Sequence, residues 1–177
     1  KDEPSATILH QNTGSANVFQ GVVPAAGACV IQWKKKRKVG DGELFFTSEG
    51  RSDIRIGAGL METVDHLKFK ILQGKIKNLI FDLEGSGEVL SVVGSNIASW
   101  KVDDVNGKKI LTCVFTSARS EIGDIRIAAQ SPLGKFPAKI NPLTITPQGA
   151  MRHSGYVKIT NKGAVRIEAS KTDGLMQ

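Results

Sequence analysis

Lys75-Ile76-Lys77-Asn78-Leu79-Ile80-Phe81-Asp82-Leu83 carries the pattern that decides the fold class. Leu79, Phe81 and Leu83 fall on one face of an extended chain, while Asn78 and Asp82 fall on the other. Side chains two residues apart share a face of a strand, so this alternation describes a strand with one oily and one wet side. Strands of that kind build antiparallel sheets covered on one face.

The same period continues along the chain. Leu67–Leu72 and Glu88–Val93 are further strand candidates. Ile97 to Val102 turns Ala98, Trp100 and Val102 inward and Ser99 and Lys101 outward. Lys109 to Phe115 aligns Leu111, Cys113 and Phe115, and Asp124 to Ala129 aligns Ile125, Ile127 and Ala129 against Arg126. A last strand is expected where Val165, Ile167 and Ala169 alternate with Arg166 and Glu168. Asn106-Gly107 has the residue types of a tight hairpin, whose central residues need positive φ. Asn161-Lys162-Gly163 is expected to join Tyr156–Ile159 to the Val165 strand in the same way. With the turns at Gln73-Gly74 and Gly85-Ser86-Gly87, residues 66–130 read as a meander of sequential hairpins.

Before Leu67 the pattern is less regular. Cys29, Ile31 and Trp33 share a face, and Leu44-Phe45-Phe46 and Ile54-Arg55-Ile56 are strand candidates. Gly59 to Val64 is the one stretch that suggests a helical turn. Ser131 to Pro147 carries Pro132, Pro137, Pro142 and Pro147; proline donates no ladder hydrogen bond, so this is an edge or a connection. The expected architecture is an all-β antiparallel β-sandwich built from sequential hairpins, with little or no helix. It is read as a single domain over residues 1–177, with a subdivision near 131–147.

Composition agrees. The chain has 177 residues with 40% hydrophobic and 23% charged, enough for one sandwich with its own core. Nineteen glycines and six prolines supply the frequent turns. No apolar run approaches the roughly 18 residues of a membrane-crossing helix, so no membrane insertion is expected. No signal peptide is read at the start, and both ends read as cut. The chain is therefore expected to be a module excised from a longer protein.

The net charge is +7, and Lys34, Lys35, Lys36, Arg37 and Lys38 hold five of the positive charges in one run. Without them the chain would carry +2, so the basic balance is local. The run resembles a short monopartite nuclear import signal, a likeness limited to six residues through Val39. Its place directly after a strand ending in Trp33 suits an edge strand or hairpin tip better, where lysine blocks pairing with other chains. It would also contact an anionic surface or acidic glycan by salt-sensitive attraction. Cys29 and Cys113 are compatible with one disulfide or with two buried thiols.

Catalytic and metal motifs are weak. With Gly107 at the sixth position of a calcium loop, Val102 and Cys113 occupy the places of the first ligand and the bidentate carboxylate, so the pattern fails. His10, His66 and His153 lack zinc-helix spacing, and no metal site or cofactor is expected. Asp82 and Glu84 share a strand face roughly 6–7 Å apart, with Glu88 close behind. That separation suits two-carboxylate glycoside chemistry, although the polar face of a strand needs no such reason. No catalytic residues are assigned. Trp33 and Trp100 fall on inward faces, and one standing on an outer face would favour sugar stacking.

The sequence thus predicts a non-catalytic sandwich module of a larger extracytoplasmic or surface protein. Its partners would be other domains of the same protein or a protein partner, with a glycan or anionic surface met through the basic run. A carbohydrate-binding module is the second reading. The third is an enzyme or enzyme accessory domain whose site assembles only in three dimensions.

Overall fold

The computed structural model describes residues 8–13, 16–21, 43–135, 137–163 and 166–168. The chain divides into two compact units, Lys1–Arg37 and Lys38–Gln177. In the first, β1 (Ile8–Thr13) and β2 (Ala16–Gly21) form a two-stranded antiparallel sheet.

The second unit is a β-sandwich. Its strands are β3 (Phe45–Ile56), β4 (Leu60–Gln73), β5 (Ile76–Glu84), β6 (Glu88–Gly94), β7 (Ile97–Val105), β8 (Lys108–Arg119), β9 (Ile125–Pro132), β10 (Thr144–Pro147) and β11 (Arg152–Asn161). One sheet has the order β10-β5-β8-β7 and the other β11-β3-β4-β9-β6. No helix occurs among the described residues.

The apolar alternation builds the core. Leu79, Phe81 and Leu83 on β5, Leu111, Cys113 and Phe115 on β8, and Ile125, Ile127 and Ala129 on β9 are all buried. Phe46, Phe69 and Phe81 meet in tilted and edge-on ring contacts 6.2 Å apart, the arrangement aromatic quadrupoles favour. Each fully buried Leu, Ile or Phe contributes about 1.5–3 kcal/mol relative to exposure. The proline-rich stretch is packed into this unit through buried Leu143 and Ile145, and β10 forms an edge beside β5. A smaller cluster of Ile54, Ile56 and Met61 packs with Leu133 and Ile140.

Several local expectations are corrected. Gly59 to Val64 forms no helical turn; from Leu60 it is strand. Met61, Thr63, Asp65 and Leu67 alternate inward there, and the two polar members hide the period. The antiparallel sandwich stands, but within it only β3–β4 and β7–β8 are sequential hairpins. The turns at Gln73-Gly74 and Gly85-Ser86-Gly87 instead carry the chain from one sheet to the other. Asn106 and Gly107 have φ of 55° and 78°, as the tight β7–β8 hairpin requires. A bulge between Ile97 and Ser99 leaves Ala98 exposed, so Ile97 rather than Ala98 packs on the core.

The C-terminal hairpin is also corrected. Arg166, Ile167 and Glu168 are exposed and in no strand, while Val165 and Ala169 lie outside the described residues. β11 pairs instead with β3, in parallel. Gly155 stands opposite Gly50, and a Cβ on Gly155 would lie 2.0 Å from the Gly50 carbonyl oxygen. The close pairing therefore needs glycine at this point. Gly155→Ala is expected to loosen β11 alone. Amide hydrogen exchange across residues 152–161 should speed up by at least about tenfold while β5 and β8 stay protected. Unchanged protection of β11 would contradict the pairing.

Candidate functional site

The outer face of the four-stranded sheet is built by the residues that alternate with the core. Ile80 stands opposite Thr112, and Thr112 opposite Lys101. On either side run Asp82–Ile110–Asp103 and Asn78–Val114–Ser99. Ile80 is 36% exposed, and Ile110, Thr112 and Val114 are half-buried. Polar pairs frame this centre. Lys101 Nζ lies 2.7 Å from Asp103 Oδ2, and Gln148 Nε2 donates to Asp82 Oδ1 at 2.7 Å. The result is an open sheet face with an aliphatic and threonine centre and fixed polar groups at its margins.

The sequence of β8 explains the centre. Ile110-Leu111-Thr112-Cys113-Val114-Phe115 is apolar or β-branched on both faces. A strand so composed is normally covered on both sides. Here only Leu111, Cys113 and Phe115 are covered.

A cleft opens at one end of the unit. Leu83, Val89, Trp100 and Val102 line it with Glu88, Asp104 and Lys109, around a volume of about 360 Å³. Gly87, Glu88 and Lys109 also line a second cleft of about 550 Å³ that extends to Leu60 and Pro132. Asp104 Oδ1 is engaged by the Gly107 amide at 2.9 Å. Trp100 is partly buried against the core from the inner face of β7, and its indole borders this cleft rather than standing on the outer face. Val102 shares that inner face with Leu111 but is 40% exposed, because it lies on an edge strand beside the cleft.

The other predicted residues do not converge. Asp82 and Glu84 lie on β5, Asp82 in its bond to Gln148, while Glu88 lies on β6 in the other sheet. His66 faces outward from β4, whereas His153 lies 2.8 Å from Ser48 Oγ through Nδ1, and burial lowers its pKa. His10 lies in β1 of the other unit. Cys113 is buried, and desolvation pushes its thiol up to about 12. Cys29, Trp33 and the run Lys34, Lys35, Lys36, Arg37 and Lys38 lie outside the described residues, so the choice between a disulfide and two thiols for Cys29 and Cys113 falls there too. Among the described residues no group of three or more His, Cys, Asp or Glu converges as a metal site.

Sequence reasoning missed Asp65. This carboxyl is 3% exposed on the inner face of β4, opposite Ser52 on β3 and Ile127 on β9. The Ser52 hydroxyl donates to Oδ1, and Oδ2 has no hydrogen-bond partner. Desolvation raises its pKa from 3.8 to about 6 against the Ser52 bond, with the Asp53 charge pushing the same way as burial. The folded state therefore prefers the neutral acid. Its contribution to stability is fully present below pH 3.8 and is lost as pH rises through about 6. At roughly 1.36 kcal/mol per unit, the loss is on the order of 3 kcal/mol at most. Thermal melts should show the native chain losing stability between pH 4 and pH 6. Asp65→Asn should flatten that slope; an unchanged slope would place its origin elsewhere.

No family model matches the sequence, and no curated protein matches it. Among solved structures the chain is similar to an M1 zinc metallopeptidase from Deinococcus radiodurans, at 15% identity and a TM-score of 0.38, covering 59% of this chain and 24% of that one. It is also similar to the chitin-binding domain of a chitinase from Pyrococcus furiosus, at 16% identity and a TM-score of 0.34, covering 61% and 98%. A cohesin module from a Clostridium perfringens family 33 glycoside hydrolase gives 10% identity and a TM-score of 0.36, covering 67% and 98%. The chain spans about a quarter of the length of the metallopeptidase. Likenesses this distant assign no function, and the β-sandwich stands on the chain's own strands and registers.

Proposed function

We propose that this chain is a non-catalytic recognition module that holds another protein domain against the outer face of the four-stranded sheet. The observation that carries the reading is the aliphatic strip Ile80, Ile110 and Val114 around Thr112, on a strand whose composition suits burial on both sides. Interfaces commonly have an apolar centre with a polar rim, and the Lys101–Asp103 and Gln148–Asp82 pairs stand at the margins of this one. The partner is a domain of the same longer protein or a separate protein, in an extracytoplasmic setting.

A photo-cross-linking residue in place of Thr112, in the full-length protein, tests this. It should give one adduct of defined mass, and Ile80→Arg should abolish that adduct. With the partner in hand, Thr112→Arg should weaken binding by about a hundredfold, since burying an unpaired charge at an interface centre costs several kcal/mol. The melting temperature should hardly move, because both side chains face outward. Full binding by both arginine variants would overturn the reading.

A further inference from the structure

The outer face of the five-stranded sheet has a different character. Tyr156 stands opposite Arg51, Arg51 opposite His66, His66 opposite Arg126, and Arg126 opposite Val93. This single row crosses all five strands and contains no carboxylate. Tyr156 is 59% exposed, and Arg51, His66 and Arg126 are exposed. The Arg51 guanidinium lies 5.8 Å from the Tyr156 ring centroid. It is also held by Asp53, with Nε 3.0 Å from Oδ2 and Nη2 3.0 Å from Oδ1. Lys158 and Lys68 lie in the adjoining rows, opposite Asp53 and Glu49 respectively. Asp53 is committed to Arg51, and Arg126 and Lys68 form no ion pair among the described residues.

We propose that this row binds an extended acidic polysaccharide, with its carboxylate or sulfate groups on Arg126 and His66 and a sugar ring against Tyr156, beside the Arg51 guanidinium that Asp53 already holds. Three observations select that ligand. Neighbouring strands are about 4.8 Å apart, so the row repeats its side chains at close to the length of one sugar residue in an extended chain. Guanidinium groups match planar carboxylate and sulfate oxygens in pairs. A single exposed tyrosine suffices for one sugar ring, whereas single-stranded nucleic acid wants aromatic platforms for successive bases. This surface is separate from the one proposed for the protein partner. It is also made of other residues than the run Lys34 to Lys38, so failure of either of those readings leaves it standing.

Affinity electrophoresis and calorimetry of the whole chain test it, with polygalacturonate as the probe and its fully methyl-esterified form as the uncharged control. The chain should bind polygalacturonate and not the ester. Arg126→Glu should weaken binding by about tenfold or more, and Tyr156→Ala by about threefold to tenfold. Lys68→Glu supplies a second charge reversal should Arg126→Glu fail to fold. Serine in place of Lys34, Lys35, Lys36, Arg37 and Lys38 should leave the loss caused by Arg126→Glu intact. Several results would overturn the proposal. They are no binding to polygalacturonate, binding lost only with the serine variant, equal binding to the ester, and tighter binding to single-stranded DNA or to phosphatidylglycerol vesicles.

Discussion

Phe81 opposite Leu111 and Leu79 opposite Cys113 are the cross-strand pairs on which the sandwich depends. All four side chains are buried beneath the facing sheet. The strands from β3 to β10 each have a face that must leave water, and two sheets pressed together satisfy them at once, whereas β11 stays exposed along most of its length. The connections follow from this. Most successive strands lie in opposite sheets, so the turns span the core rather than join neighbours. The β11–β3 pair is the exception in direction: it runs parallel, through two facing glycines too close for a side chain on Gly155.

The same layering produces two outer faces with different chemistry. On the four-stranded sheet the outward residues of β5 and β8 include Ile80, Ile110 and Val114, so the surface is aliphatic at its centre. On the five-stranded sheet one outward row holds Arg51, His66, Arg126 and Tyr156, with Lys68 and Lys158 and the carboxylates Glu49 and Asp53 in the adjoining rows. The buried Asp65 stands between the aliphatic clusters with one oxygen unsatisfied. It is a cost that the hydrophobic contacts around it offset.

Legibility along the sequence tracked the purity of the alternation. β5, β8 and β9 were readable because the inward positions across Leu79–Leu83, Leu111–Phe115 and Ile125–Ala129 are all apolar. β4 was obscured because Thr63 and Asp65 occupy inward positions, and the remaining apolar residues Met61, Val64 and Leu67 then recur at helical spacing. In β7 one inserted residue shifted the phase, so Ala98 was read on the wrong face. The C-terminal strand was readable as a strand but not in its pairing, since an exposed edge strand carries no mark of its partner. Both outer faces were overlooked for a related reason. Their rows draw on three strands in one sheet and five in the other, and no local window contains more than two members of a row.

Residue order alone establishes that this chain is all-β, which positions of its regular strands point inward, and that Asn106-Gly107 closes a hairpin. These are local properties, set by side-chain direction along an extended backbone and by the φ angles that each residue type tolerates. The folded sheets are needed to show which strands are neighbours, that β11 lies parallel to β3, that Asp65 is buried, and that Tyr156, Arg51, His66 and Arg126 share a row. Strand order and register are settled by the packing of two whole sheets, and alternation is the same whichever neighbour a strand finds.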